Sequence, residues 1–110
     1  MTSNLPIEEQ YHAAGLAHAD AEHAAEMLEQ TKTRVLSQYK MKLIEVDPKL
    51  SDARAETLVK AGPEWGEFIK TMVDARRKAN IMRVNRETLR MKFSRWVAED
   101  ANHRAGMRMS

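Results

Sequence analysis

The amino-acid sequence predicts an all-α protein, an antiparallel helical hairpin of two long helices plus a short connector helix, dimerising into a four-helix bundle. Three observations carry that prediction. Trp65, Phe68, Met72, Ala75, Ala79, Met82, Arg86, Leu89, Phe93 and Trp96 follow one another at steps of three and four without a slip, and all but Arg86 are apolar. Such a seven-residue period lays one long helix along another. A second seam runs earlier in the chain, and the three prolines fall only where helices should start or stop.

The first helix is expected over residues 6–46. Asn4-Leu5-Pro6-Ile7-Glu8-Glu9 reads as its start, with Pro6 in the first turn and acids at the positive end of the helix dipole. Its seam follows Ile7, Tyr11, Ala14, His18, Ala21, Ala25, Leu28, Lys32, Val35, Tyr39, Leu43 and Val46. The first half of that seam is mostly alanine, which favours the helix while leaving little to bury. Asp47-Pro48 ends it, because a residue before proline is pushed out of the helical region.

A connector with a short helix is expected over 48–61, capped by Asp47 or Ser51 and burying Leu50, Leu58 and Val59. Gly62-Pro63 closes it and opens the second long helix, expected over 63–103, with Gly106 ending any remaining helix. The whole is read as one domain, residues 1–110. Folding about residue 55 sets Ala14 near Trp96 and small residues of the first helix against large ones of the second. Leu16, Met27, Leu36, Ile69, Val73, Ile81 and Val84 lie off the main seam. A second copy is expected to cover that stripe, with Ile69, Val73, Ile81 and Val84 at the dimer interface.

Charge is distributed unevenly. Residues 1–31 hold six acids and no Lys or Arg, whereas residues 76–110 hold ten bases and three acids. Arg76, Arg77, Lys78, Arg83, Arg90, Lys92 and Arg95 form the candidate face for nucleic acid or a protein partner, since phosphate neutralisation by a basic helical stripe drives such binding. Pairing with the acidic first helix, or plain solvation, competes with that role. Arg86 stands alone on the apolar seam and is expected to pair with Glu22, Glu26 or Glu29 and so fix the register.

Catalytic chemistry finds no foothold. There is no cysteine, no clustered Ser–His–Asp set and no glycine-rich phosphate loop. Asp20, Glu22, His23 and Glu26 are close enough to suggest a metal, but the facing stretch is basic and supplies no matching ligands. A non-enzymatic protein without metal or cofactor is therefore expected. Met1-Thr2-Ser3-Asn4 has neither the basic flank nor the apolar core of a secretory leader, and no apolar run approaches the ~18 residues of a membrane span. With no cysteine, a reducing, cytoplasmic setting is the simpler expectation.

The segments Tyr11-His12-Ala13-Ala14-Gly15-Leu16, Leu28-Glu29-Gln30-Thr31-Lys32, Pro63-Glu64-Trp65, Leu89 through Trp96 and Ala101 through Arg108 occur in that order. In order and spacing the chain resembles small helical accessory proteins of temperate phages and prophages, encoded among DNA-recombination genes. The resemblance implies a phage accessory protein in the bacterial host cytoplasm that supports recombination or DNA metabolism by contact with DNA or a recombination protein. An inhibitor of a host defence nuclease complex is the alternative. No catalytic residue is implied by either.

Overall fold

A computed structural model describes residues 6–109 of the chain. Asn4 and Leu5 of the expected helix start, and Ser110, lie outside them. The fold is all-α, in the order α1 (Ile7–Val46), α2 (Asp52–Ala61) and α3 (Pro63–Met109). Two long helices run antiparallel as a helical hairpin, joined by a short one. They pack as two compact units, one of residues up to Ala21 with Lys78 onward (unit 1), the other Glu22–Arg77 (unit 2).

The helix ends follow from local chemistry. Pro6 stands one residue before α1 rather than inside it, and its carbonyl accepts from the Glu9 and Gln10 amides at 3.0 Å. At the other end the Asp47 amide donates to the Leu43 carbonyl at 2.9 Å, and Asp47 Oδ1 accepts from the Lys49 amide at 3.2 Å. That side-chain turn and Pro48 stop α1. Of the two expected caps of α2, the chain uses Ser51, whose Oγ accepts from the Arg54 amide at 3.1 Å. Helix α2 therefore starts at Asp52, within the expected connector. A Cβ at Gly62 would come within 3.3 Å of the Val59 carbonyl, so this junction favours glycine. Pro63 then opens α3.

In unit 2 the buried side chains are Ala25, Ala55, Val59 and Trp65. Trp65 stacks on Phe68, ring centroids 5.6 Å apart. Val59 is buried as the sequence pattern expects, but its companion on that face of α2 is Ala55, four residues earlier, and not Leu58, which is 40% exposed. Lys40 of α1 grips Asp52 of α2 at 2.9 Å. In unit 1 the buried positions are Ala21 and Ala79. Tyr11 meets Phe93 with centroids 5.8 Å apart, and Phe93 meets Trp96 at 5.9 Å.

Most of both seams is realised. On α1 every expected position except Lys32 and Val46 is at least partly buried; on α3 every one except Trp96 is. Lys32 stays in water and Thr31 turns inward in its place, its hydroxyl donating to the Met27 and Leu28 carbonyls. Val46 is 87% exposed because the chain has passed its last inward turn.

Three expectations are corrected. Folding about residue 55 would set Ala17 opposite Phe93, but Tyr11 occupies that place, six residues earlier in α1. Ala14 accordingly shares a groove with Met82 and Leu89 rather than sitting by Trp96. In unit 2, taken by itself, Tyr39, Lys42 and Leu43 line one groove with Pro63, Glu64 and Trp65, so there too the connector's midpoint is not the fold axis. Helix α3 does not end near His103 but continues through Gly106 to Met109. One glycine costs a helix only about 1 kcal/mol relative to alanine, and Gly106 is not in the left-handed conformation that would cap it. Finally, Ile69 and Leu36 of the second stripe are half-buried within the fold.

Two substitutions test this packing in urea unfolding. Trp65→Ala should cost about 3–5 kcal/mol, as for other truncations of buried aromatics; an unchanged midpoint would place Trp65 outside the core. Gly15 lies inside α1, and a methyl group added there would meet nothing within 4 Å. Gly15→Ala should therefore stabilise by about 0.5–1 kcal/mol.

Candidate interaction surfaces

The most developed polar site joins α1 to α3 in unit 2. Arg76 Nη1 donates to both carboxylate oxygens of Glu22, at 2.8 and 2.9 Å. Its Nε and Nη2 donate to Glu29 Oε2 and Oε1, at 2.8 and 2.7 Å. The planar fork of arginine thus engages Glu29 in bidentate fashion, the arrangement in which charge-assisted hydrogen bonds gain most from geometry, while Nη1 alone spans both oxygens of Glu22. The hydrogen bonds from Arg76 hold the Glu29 carboxyl below its ordinary range, and Glu29 and Glu22 push the guanidinium further up.

Arg76 is therefore withdrawn from the basic face to which the sequence assigns it. It also takes the role expected of Arg86. Glu22 and Glu29 are seven residues apart, on the same flank of the α1 seam, and this spacing is the signal that they act together. Arg86 instead lies half-buried in unit 1 with Nη1 3.3 Å from His18 Nδ1. The six-residue register difference explains the exchange of partners.

The other bases divide between the units. Arg77 belongs to unit 2; Lys78, Arg83, Arg90, Lys92 and Arg95 belong to unit 1. Arg90 pairs along its own helix with Glu87 at 3.0 Å. Among the described residues no carboxylate pairs with Arg77, Lys78, Arg83, Lys92 or Arg95, all of them exposed. Within unit 1, Ile81, Val84 and Met91 are 45, 57 and 58% exposed. With Thr88 and Arg95 they recur at steps of three and four, so they form one outward row on α3. Lys78 and Lys92 flank that row on one side, Arg83 and Arg90 on the other. Val73 of the expected dimer stripe lies in unit 2 and is 55% exposed.

Unit 1 also carries an open groove of about 410 Å³. Ala13, Ala14 and Ala17 form one wall, Met82 and Leu89 the other, and Asn85, Thr88 and Lys92 the polar edge. No group of three or more acids and histidines among the described residues is placed to hold a metal ion. No described helix is long and apolar enough to cross a membrane. Comparison with known protein families, with curated proteins and with solved structures gave no match.

The Arg76 cluster makes a pH prediction with a definite sign. A carboxyl whose folded pKa is depressed stabilises the fold above its unfolded value, near 4.5 for Glu29, and that contribution disappears as pH falls through the folded value. Arg76→Gln should lower the melting temperature at pH 7 and flatten the loss of stability on acidification below about pH 4.5. Thermal melts over pH 2–7 for both proteins check this; parallel curves would remove the cluster as a stabilising element.

Proposed function

We propose that this chain is a non-enzymatic interaction protein whose unit 1 docks, through the outward row of α3, onto an acidic and partly apolar surface of another protein. The observation that carries this reading is the interleaving of Ile81, Val84 and Met91 with Lys78, Arg83, Lys92 and Arg95, none of those four bases paired with a carboxylate among the described residues. Cations alone would serve phosphate, but a phosphate backbone gives three exposed aliphatic side chains nothing to pack against, and the row holds no aromatic on which a base could stack. An apolar protein surface rimmed with acids rewards both kinds of side chain.

If the chain is the temperate-phage accessory protein that its sequence resembles, the expected partner is a phage DNA-recombination protein. A host defence nuclease complex is the alternative target of the same face. Ile81 and Val84 also belong to the stripe expected at a dimer interface, so a second copy competes as occupant.

Binding of a purified phage recombination protein, followed by calorimetry, provides the test. Arg83→Glu, Lys92→Glu and Arg95→Glu combined should abolish binding, and Ile81→Asp alone should weaken it by about tenfold or more, the effect of burying a charge without a partner. Far-UV circular dichroism should stay helical in both variants. Salt-sensitive binding of single-stranded DNA that survives Ile81→Asp would make nucleic acid the ligand and overturn the protein-docking reading. In a defence-bearing host, plaque formation that depends on the gene would instead select the nuclease complex as partner.

A further inference from the structure

Unit 2 carries a groove of its own, of about 380 Å³, where α1, α2 and α3 come together. It is lined from α1 by Tyr39, Lys42 and Val46, from α2 by Leu58, and from α3 by Glu64 and the buried Trp65. Val46 is 87% exposed and Leu58 40%, so two aliphatic side chains stand in water at the edge of an apolar hollow. The two charges in the groove are also unanswered. Lys42 Nζ lies over the Tyr39 ring, 5.6 Å from its centroid. Among the described residues no carboxylate pairs with Lys42 and no cation pairs with Glu64. Their neighbours differ: Lys40 is held by Asp52 at 2.9 Å and Lys60 by Glu56 at 3.4 Å.

We infer that this groove is closed by the same groove of a second copy of the chain, about a two-fold axis. Charge selects the occupant. A wholly acidic partner would satisfy Lys42 and set Glu64 against like charge, and a wholly basic one would do the reverse. A surface with one base and one acid in the same pattern satisfies both, and the groove is itself such a surface. Lys42 stands on the α1 side and Glu64 on the α3 side. A two-fold axis through the groove lays the α1 side of each copy on the α3 side of the other, so Lys42 of each meets Glu64 of the other in two equivalent ion pairs. The same operation carries Val46 of each copy towards Pro63 and Trp65 of the other, and brings the exposed Leu58 side chains out of water. Lys42 keeps its place over Tyr39, since a cation on an aromatic face still has donors free for a carboxylate. The interface uses neither the outward row of Ile81, Val84 and Met91 nor the bases beside it, so it goes beyond the docking function and does not depend on it.

Sedimentation equilibrium of the full chain from micromolar to millimolar concentration tests the pairing. The wild type should shift from 12.6 kDa towards twice that mass. Lys42→Glu and Glu64→Lys each oppose like charges across the axis and should raise the dimer Kd by about tenfold or more. Val46→Asp, which carries an unpaired charge into the hollow, should do the same. An equimolar mixture of Lys42→Glu and Glu64→Lys restores both ion pairs, one of them with its signs reversed, and should regain the wild-type Kd as a heterodimer. Recovery on mixing requires pairs that run between chains; a pair within one chain, or a misfolded variant, would not give it. Three outcomes would overturn the inference: a wild type that stays monomeric, single variants with wild-type mass, or a mixture that fails to recover. Loss of the dimer on Ile81→Asp but not on Val46→Asp would move the second copy to the outward row, and so overturn it too.

Discussion

Two helices that touch along a line can bury only one side chain in every three or four, and the other properties of this protein follow from that limit. The seam is the interior that such a pair has to offer, and among the described residues the positions it covers fully are small. Ala25 and Ala79 on the seam are wholly buried, as is Ala55 on α2, and no large described side chain is. Alanine at these places lets backbones approach closely and spares the helices a side-chain entropy cost. Trp65 is the large described residue that comes nearest to complete burial, and it does so where α2 provides a third helix in unit 2. Much of the remaining apolar complement is left at the surface as a consequence of geometry.

Because the seam is thin and rich in alanine, apolar packing by itself discriminates weakly between registers. A two-helix contact that slides by a full heptad still places small residues against large ones. In unit 2 the polar flank removes that degeneracy. Arg76 reaches two carboxylates spaced one heptad apart, and only one alignment of α1 and α3 satisfies both with four short hydrogen bonds. In unit 1, seven residues before Glu22, the flank holds Gly15. There the alignment rests on aromatic contact between Tyr11 and Phe93, and Arg83 has no carboxylate partner among the described residues. The same basic flank thus works internally in one unit and faces outward in the other.

This division sets the electrostatic character of the surface. Cations already neutralised by carboxylates have little field left to offer a ligand, whereas Lys78, Arg83, Lys92 and Arg95 keep theirs. They stand beside aliphatic side chains that water solvates poorly, a combination met more often where proteins dock than where nucleic acid is held by its backbone. Glu29 is held below its ordinary range and Arg76 is pushed up chiefly by the hydrogen bonds they share with each other, so both shifts report the internal pairing of α1 with α3.

The sequence by itself determined the helices and which of their faces turn inward. Period, proline placement and alanine content act locally or along one helix, so the seam from Trp65 to Phe93 and the breaks at Pro48 and Pro63 are legible without knowing what lies opposite. Relations between helices were decided only by the tertiary structure. Folding about residue 55 is six residues out of register, since the alignment of α1 with α3 and the seat of α2 depend on contacts distant in sequence. That single offset moves Glu22 and Glu29 from Arg86 to Arg76, takes Arg76 out of the candidate face, and leaves Trp96 at the surface. Helix formation is a short-range property of the chain, whereas register is set by the sum of weak contacts between segments some fifty residues apart, such as Arg76 and Glu29, and no local pattern records that sum.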